Sequence, residues 1–264
     1  MVAYHLGDML DGMPYSANCR NVEVYVNGTY QGVYLMTEAV NVAKSRINIT
    51  ENPALIEDNG YLVEMSWYDC DYPFYVEHQQ YDVKSDISPD AEISKQQVDY
   101  ISGYMDDALK ALKSGDKESA EQYIDIASLV DNYIANEICK NVDSGWDSYY
   151  ISKDAGGKLT FHPMWDYDLA LGNFIDVKGM DAEEGLTVYN VSNCNANSNQ
   201  WLCHAVQNDW FRNAVTQRWQ EVYECVKILP EFVTTEAEKM RHLMNVISPN
   251  GILLVKRYFL NRTK

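Results

Sequence analysis

Two short acidic segments near the middle of the chain hold the side chains best suited to chemistry. Asn141-Val142-Asp143 closes a helical pattern, and Trp165-Asp166-Tyr167-Asp168 closes a strand-like one. Magnesium prefers hard oxygen ligands and is commonly held by one or two carboxylates together with the phosphates of its substrate. A separate carboxylate can accept the proton of an attacking hydroxyl group. The two segments therefore indicate a site for a polyphosphate and its metal ion.

The stretch between the two segments reads as a β-hairpin. Residues 148–152 and 159–162 have strand-like patterns, and the Gly-containing stretch 155–158 is a turn signal. Helix, aspartate loop, hairpin and aspartate motif follow one another in the same order in the catalytic core of protein kinases. There the first aspartate receives the proton of the substrate hydroxyl group, and the second holds magnesium.

Four stretches carry a resemblance to a known family. The chain resembles the CotH kinases, named for a spore-coat protein, at residues 24–35 with Glu38, 60–64, 141–143 and 165–168. The resemblance extends over roughly residues 5–175. It implies an atypical, two-lobed protein-kinase-like fold that uses ATP and Mg²⁺ or Mn²⁺ to phosphorylate Ser or Thr of a protein substrate. It also implies that Asp143 is the catalytic aspartate and that Asp166 binds the metal.

One position departs from the kinase pattern. Five residues after the catalytic aspartate, kinases place an asparagine that binds the second metal ion. This chain has Ser148 there. Ser148 is a weak ligand for magnesium, and Asp147 or Asp168 are alternative ligands. The departure leaves two interpretations open, an active kinase and a degenerate pseudokinase.

Residues near the N-terminus could contact the nucleotide. Asn27-Gly28 is a hairpin-turn signal, and Gly32 follows it. The resemblance makes this hairpin a cover for the phosphates, which a glycine backbone can approach closely. Without the resemblance it is a tight hairpin, because the three-glycine pattern of kinases is absent.

Phosphate binding also needs a cation and an acid that holds it. The family has a basic residue and an acid at the stretches that contain Lys84 and Glu38, which makes these two the candidates. Lys44, Arg46 and Glu64 lie in the same region, and which acid pairs with which base stays open.

The hydrophobic pattern predicts an α+β fold, and the resemblance implies one kinase-like domain over residues 1–264. Residues 1–90 are strand-like and form the predicted sheet-rich N-terminal lobe. Residues 91–264 are mostly helical and form the predicted C-terminal lobe, with the cleft between the two lobes. Ser94 and Gln97 form a capping-box pattern that predicts the start of the first long helix.

Charge restricts the partners. The formal net charge is −18, which argues against nonspecific binding to nucleic acid or anionic lipid. Residues 51–100 hold 12 Asp or Glu and 2 Lys or Arg. This bias predicts either a solvated acidic face or a preference for a basic protein substrate. Oligomeric state stays open.

The sequence and the resemblance also bear on where the protein is located. No apolar run is long enough to span a bilayer, and no signal-peptide pattern opens the sequence, which could be a segment of a longer chain. The resemblance implies a secreted, cell-surface or spore-coat protein, and a cytoplasmic one is the alternative.

The cysteines do not suggest a zinc site. None of the six forms a Cys-x-x-Cys pair. Cys194 and Cys203 flank an Asn- and Ser-rich stretch and would form a disulfide in an exported protein, whereas a reducing cytosol would prevent it.

Three functions remain open at this point. The first is a metal-dependent Ser/Thr kinase. The second is a non-catalytic adhesion or scaffold module on the same fold. The third, less favoured, is glycoside hydrolysis by Asp143 and Asp166. His162 beside the second motif is expected to be structural, with a metal or catalytic role as the alternative.

Overall fold

The fold combines antiparallel sheets with helices, as the sequence predicts. The computed structural model describes residues 1–68, 70–173 and 199–244, with side chains up to residue 241. Its elements are, in chain order, α1 (Val2–Met9), β1 (Cys19–Val26), β2 (Thr29–Thr37), β3 (Tyr61–Met65), β4 (Pro73–Val76), β5 (Gln79–Val83), α2 (Ala91–Lys113), α3 (Lys117–Tyr123), α4 (Ile126–Cys139), β6 (Tyr149–Lys153), β7 (Leu159–Thr160), α5 (Gln200–Val206), α6 (Asp209–Val226) and α7 (Leu229–Met244).

The strands β1 and β2 form a separate two-stranded hairpin. Asn27 and Gly28 form its turn, with φ angles of 50° and 80°. Positive φ at both central residues is the requirement of a type I′ turn, and Asn-Gly is the sequence that meets it most easily. The predicted hairpin is therefore confirmed.

The main sheet has five strands in the order β4-β5-β3-β6-β7, and all pairings are antiparallel. Strand β3 lies at its centre, paired with β5 on one side and β6 on the other. The sheet thus crosses the boundary predicted at residue 90. The prediction missed this pairing because the alternating pattern of a strand indicates that it belongs to a sheet, but does not show which strands pair with it.

The central position of β3 follows from its composition. A strand flanked on both sides and covered on both faces is nearly continuously apolar. Tyr61, Leu62, Val63 and Met65 are all almost fully buried. One face of the sheet joins the helices in the main hydrophobic core, which includes Val63 and Ile151. The other face packs a smaller cluster around Leu62 and Tyr150.

Helix α2 starts earlier than its capping-box pattern predicts. The carboxylate of Asp90 accepts hydrogen bonds from the backbone N–H groups of Glu92 and Ile93, so Asp90 is the N-cap. Ser94 instead donates to the carbonyl of Ala91 inside the first turn. The predicted cap was wrong because Asp is an equally good N-cap residue and lies before the first helical turn.

A buried ion pair fixes the helices to one another. Arg218 on α6 makes a two-pronged contact with Asp131 on α4, with Nε–Oδ1 and Nη2–Oδ2 distances of 2.8 and 2.9 Å. The Asp131 side chain is fully buried, and it also accepts a bond from the backbone N–H of Gly12. Removal of one partner of such a pair leaves an uncompensated charge in the core. Within the described part of the chain, every helix is too short or too polar to cross a membrane.

Candidate functional site

The end of helix α4 positions Asp143. Lys140 closes the helix in a left-handed conformation with φ of 52°. The chain then turns at Asn141, whose side-chain oxygen accepts a hydrogen bond from the backbone N–H of Asp143 at 3.2 Å. The amide nitrogen of Asn141 in turn donates to Oδ1 of Asn136 at 3.1 Å. The backbone at Asp143 is therefore held to a buried residue of the helix.

The same asparagine holds the second acidic segment. The hydroxyl group of Tyr167 donates to Oδ1 of Asn136 at 3.2 Å. Tyr167 lies between Asp166 and Asp168, so one carbonyl oxygen receives bonds from both segments. Asn136 is completely buried. Sequence reasoning missed it, and the signal that could have found it is the polar series Ser128, Asn132 and Asn136, spaced by four residues in an apolar helix.

A second asparagine one turn earlier completes this support. Asn136 donates to the side-chain oxygen of Asn132 at 3.0 Å. Asn132 donates to the carbonyl of Phe161 at 3.3 Å and accepts from the hydroxyl of Tyr149 at 2.8 Å. Phe161 and Tyr149 belong to the hairpin that connects the two acidic segments. The helix thus fixes the hairpin and both of its ends.

The acidic side chains interact electrostatically. Burial, together with the charges of Asp147, Asp166 and Asp168, raises the pKa of Asp143. Partial burial and the charges of Asp168 and Asp147 raise the pKa of Asp166, which stays open to solvent. A carboxylate that raises the pKa of a neighbouring carboxyl group repels that group when both are ionised. The structure therefore brings together Asp143, Asp166 and Asp168, as well as Asp147, and the arrangement favours a cation.

Ser148 lies beside Asp166. A hydrogen bond from its hydroxyl group to the Asp166 carboxylate partly offsets the rise in the pKa of Asp166. Both residues adopt left-handed backbone conformations, with φ of 57° at Ser148 and 54° at Asp166. Non-glycine residues in this region carry backbone strain, which is typically retained at functional sites.

One carboxylate oxygen among these four aspartates is suited to binding a cation. Oδ1 of Asp147 is buried and has no hydrogen-bond partner among the described residues. A buried acceptor without a partner is unusual and costly. In the same part of the chain, no three His, Cys, Asp or Glu side chains are arranged to hold a metal ion by themselves. A magnesium ion here would need oxygen ligands from its substrate, which is how magnesium is commonly bound.

Lys84 lies on the sheet face that carries the smaller apolar cluster. Its Nζ is 2.7 Å from Oδ2 of Asp82 and 3.2 Å from Oε2 of Glu64. The Lys84 side chain keeps 31% of its surface exposed, so the ammonium group remains reachable. Glu64 also accepts a 2.6 Å hydrogen bond from the hydroxyl group of Tyr150. Of the acids left open by the sequence, Glu64 is the one that pairs with Lys84.

Glu38 lies in a different group. Its Oε2 accepts bonds from the backbone and side-chain amides of Asn18, both at 2.9 Å. These bonds, together with nearby Arg46, lower the pKa of Glu38. Arg46 Nε lies 3.8 Å from Glu38 Oε1. The structure does not join Glu38 to Lys84, and the local arrangement ties the loop after β2 to the loop before β1.

The two glycines of the N-terminal hairpin are exposed or half-buried. A side chain at Gly28 would meet no atom within 4 Å, and Gly32 has only the ring of Tyr34 at 3.9 Å. Their positive φ angles, 80° and 119°, show that both are needed for backbone conformation. Neither glycine is in close contact with the acidic segments.

A cavity of about 350 Å³ connects this hairpin with the second acidic segment. Leu35 of β2, Asp166 and Asp168 line it together with apolar residues of α1 and α7. Small-molecule sites in proteins are commonly apolar cavities with a few polar groups at one side. The cavity therefore combines apolar walls with the acids of the second segment and Glu236.

The remaining candidates have structural roles or lie outside the described residues. His162 is buried, its Nε2 lies 2.8 Å from the hydroxyl oxygen of Ser152, and burial lowers its pKa to about 4. It is therefore a neutral structural histidine. Cys203 is disulfide-bonded, and Cys194, the predicted partner, lies outside the described residues.

Comparison with known proteins adds one finding to this geometry. A family model described as CotH kinase protein matches residues 2–250 of the 264-residue chain. No curated protein gives a significant match. The family match covers both acidic segments, the hairpin between them, Lys84 and the N-terminal hairpin.

The asparagine support leads to a stability prediction. Asn136→Ala removes the acceptor of two buried donors and leaves Asn132 without one of its partners. Each buried polar group that loses its partner costs about 1–3 kcal/mol, so we expect the free energy of unfolding to fall by roughly 2–4 kcal/mol. Urea denaturation measures this change. Gln96→Ala, which removes an exposed amide from α2, is the control and should change stability by less than about 0.5 kcal/mol.

The repulsion among the acids gives a pH prediction for the metal-free protein. An acid whose folded pKa is raised binds extra protons in the folded state, so its contribution to stability falls as pH rises from its unfolded pKa through its raised folded pKa. Asp147 contributes to the rise for both Asp143 and Asp166. We therefore expect Asp147→Asn to raise Tm in EDTA at neutral pH, and the gain to vanish near pH 4.

Thermal unfolding across this pH range checks the expectation. Asp99→Asn removes the same charge from an exposed ion pair on α2 and should give little change at any pH. A gain for Asp147→Asn that persisted at low pH would show that repulsion among these acids is not its cause.

Proposed function

The chain belongs to the CotH kinase family, and from this premise we propose that it transfers the γ-phosphate of ATP to Ser or Thr of a protein, with Mg²⁺ or Mn²⁺. The observation that carries the proposal is that both acidic segments bond to one oxygen, Oδ1 of Asn136, while the charges of Asp147, Asp166 and Asp168 raise the pKa of Asp143. It supports a site in which acids from both ends of one hairpin act on a single cation-bound polyphosphate.

The roles of the residues follow from their chemistry. Asp143 accepts the proton of the attacking hydroxyl group, for which its raised pKa is helpful. Asp166 binds the metal ion, and Asp168, Ser148 and Asp147 supply the ligands of a second ion. A divalent metal, when bound, neutralises charge on the phosphates. The ammonium group of Lys84 binds a phosphate oxygen, and Glu64 rather than Glu38 holds it in place.

The wider arrangement is proposed to be kinase-like. The β1–β2 hairpin with Gly28 and Gly32 covers the nucleotide, and the cavity beside Leu35 receives the adenine. The strong negative charge of the chain favours a basic protein substrate. A secreted, surface or spore-coat location is part of the same proposal and rests on the family.

One observation favours a second candidate, a nucleotide-binding pseudokinase. Ser148 uses its hydroxyl group as a donor to Asp166, whereas the kinase asparagine offers an amide oxygen to the second metal ion. If no other group supplies that ligand, the protein binds nucleotide without transferring phosphate.

Substitutions of Asp143 and Asp166 are predicted to have different effects on ATP binding and on phosphate transfer. Asp166→Ala removes the metal ligand and should abolish metal-dependent ATP binding in calorimetry. Asp143→Asn keeps the local hydrogen bonding but cannot accept a proton, so ATP should still bind while phosphate transfer falls roughly 100- to 10,000-fold. Transfer is measured with labelled ATP and a Ser-rich acceptor protein.

Asp99→Ala serves as the charge-matched control and should leave both quantities unchanged. Wild-type transfer in Asp143→Asn would show that another group accepts the proton. Nucleotide binding without transfer by the wild type would favour the pseudokinase.

The Ser148 position gives a separate prediction. Asparagine tolerates the left-handed backbone that Ser148 adopts, and its amide oxygen is a better hard ligand than a hydroxyl group. Ser148→Asn should therefore lower the magnesium concentration needed for half-maximal transfer, or raise the maximal rate. Ser148→Ala is the comparison that removes the hydroxyl without adding an amide.

A magnesium titration of transfer activity distinguishes the possible ligands. If Ser148→Asn has no effect while Asp147→Ala or Asp168→Ala abolishes activity, one of these acids supplies the second ligand and the assignment of Ser148 is wrong.

A further inference from the structure

A row of polar side chains crosses three strands of the main sheet on one face. Glu64 on β3 lies directly opposite Asp82 on β5 and directly opposite Tyr150 on β6. Side chains of directly paired residues in antiparallel strands point to the same face of the sheet. Glu64 therefore lies between the carboxylate of Asp82 and the phenol of Tyr150. Lys84 follows Asp82 by two residues, just after the end of β5.

The two oxygens of the Glu64 carboxylate have different partners. Oε2 pairs with the ammonium group of Lys84 at 3.2 Å, and Oε1 accepts the hydroxyl proton of Tyr150 at 2.6 Å. The Glu64 side chain is only 13% exposed, so water has little access to replace either partner. Lys84 is shared, since Asp82 attracts the same ammonium group at 2.7 Å.

Tyr150 connects this row to the acidic segments. Its ring is buried in the small apolar cluster with Leu62 and Tyr15, and Trp165 packs against the same cluster. Trp165 directly precedes Asp166. The charges of Asp147 and Asp166 act on the Tyr150 hydroxyl group, which donates to Glu64 of the lysine row.

We propose that Tyr150 is a positioning residue that holds the Glu64–Lys84 pair in place, so that the Lys84 ammonium group faces the phosphates bound at the acidic segments. This inference rests on the proposed function. It adds a residue that lies outside all four stretches on which the family resemblance depends.

The physical reason is the competition for Lys84. With Tyr150 in place, one Glu64 oxygen is fixed by the hydroxyl group and the other is left for the lysine. Without the hydroxyl group, the carboxylate is free to rotate, and Lys84 is drawn to the buried Asp82. Burial, and then Glu64, raise the pKa of Tyr150, so its hydroxyl group remains a donor at any pH at which the protein works.

Tyr150→Phe tests the proposal, because it removes the hydroxyl group and keeps the ring in the cluster. A hydrogen bond to a charged group is stronger than one to a neutral group, and its loss should raise the Kd for Mg-ATP about tenfold. Tyr61→Phe is the matched control on the other face of β3. The hydroxyl group of this buried tyrosine donates to the carbonyl of Ile56 at 2.7 Å, so the variant loses a hydrogen bond away from Lys84 and from the acidic segments.

Two further measurements separate positioning from general damage. In a double-mutant cycle with Glu64→Gln, Tyr150→Phe should add little, because it acts through Glu64. Acetylation of Lys84 by an amine-reactive reagent, followed by mass spectrometry, should change several-fold in rate in Tyr150→Phe and not in Tyr61→Phe.

Different outcomes contradict the role of Tyr150 and the proposed function. If Tyr150→Phe binds Mg-ATP and reacts at Lys84 like the wild type, or if Tyr61→Phe shows the same losses, Tyr150 does not position Lys84. If the wild type binds no nucleotide, the proposed function fails, and the acetylation rate alone decides on the role of Tyr150.

Discussion

The geometry of the site depends on one buried amide, Asn136. Its side-chain oxygen receives bonds from Asn141, next to Asp143, and from Tyr167, between Asp166 and Asp168. The two segments, which are separated by a hairpin, are therefore held by hydrogen bonds to the same atom. Because Asn136 is fully buried, neither segment can shift without leaving a donor unpaired, which costs more than a surface hydrogen bond contributes.

This support explains how like charges are kept together. The interaction among Asp143, Asp147, Asp166 and Asp168 opposes the fold whenever they are ionised. Left-handed backbone at Ser148 and Asp166 adds strain at the same place. The buried hydrogen bonds from α4 offset both costs, while a bound cation would remove the repulsion. Stability and function are therefore in tension here, as is common where charged groups are assembled for catalysis.

Local patterns predicted much of the fold and the order of the site. The Asn27-Gly28 turn, the helix that ends before Asn141 and the hairpin between the acids were readable because each is determined by neighbouring residues. The pairing of β6 with β3 was not, because register across a long sequence separation is set by burial that forms only in the folded chain. The same limit hid Asn136 and the pairing of Lys84 with Glu64, since only folding brings Tyr167 to Asn136 and Glu64 to Lys84.

The long-range pairing has a consequence for how the chemistry is assembled. Since β6 lies beside β3, the strand that leads out of the Asp143 loop is the same strand that places Tyr150 against Glu64. The Asp143 loop and the Glu64–Lys84 pair are thus joined by one strand, whose residues are all buried. Under the proposed function, the phosphate-binding Lys84 and the metal-binding acids are therefore positioned by the same element.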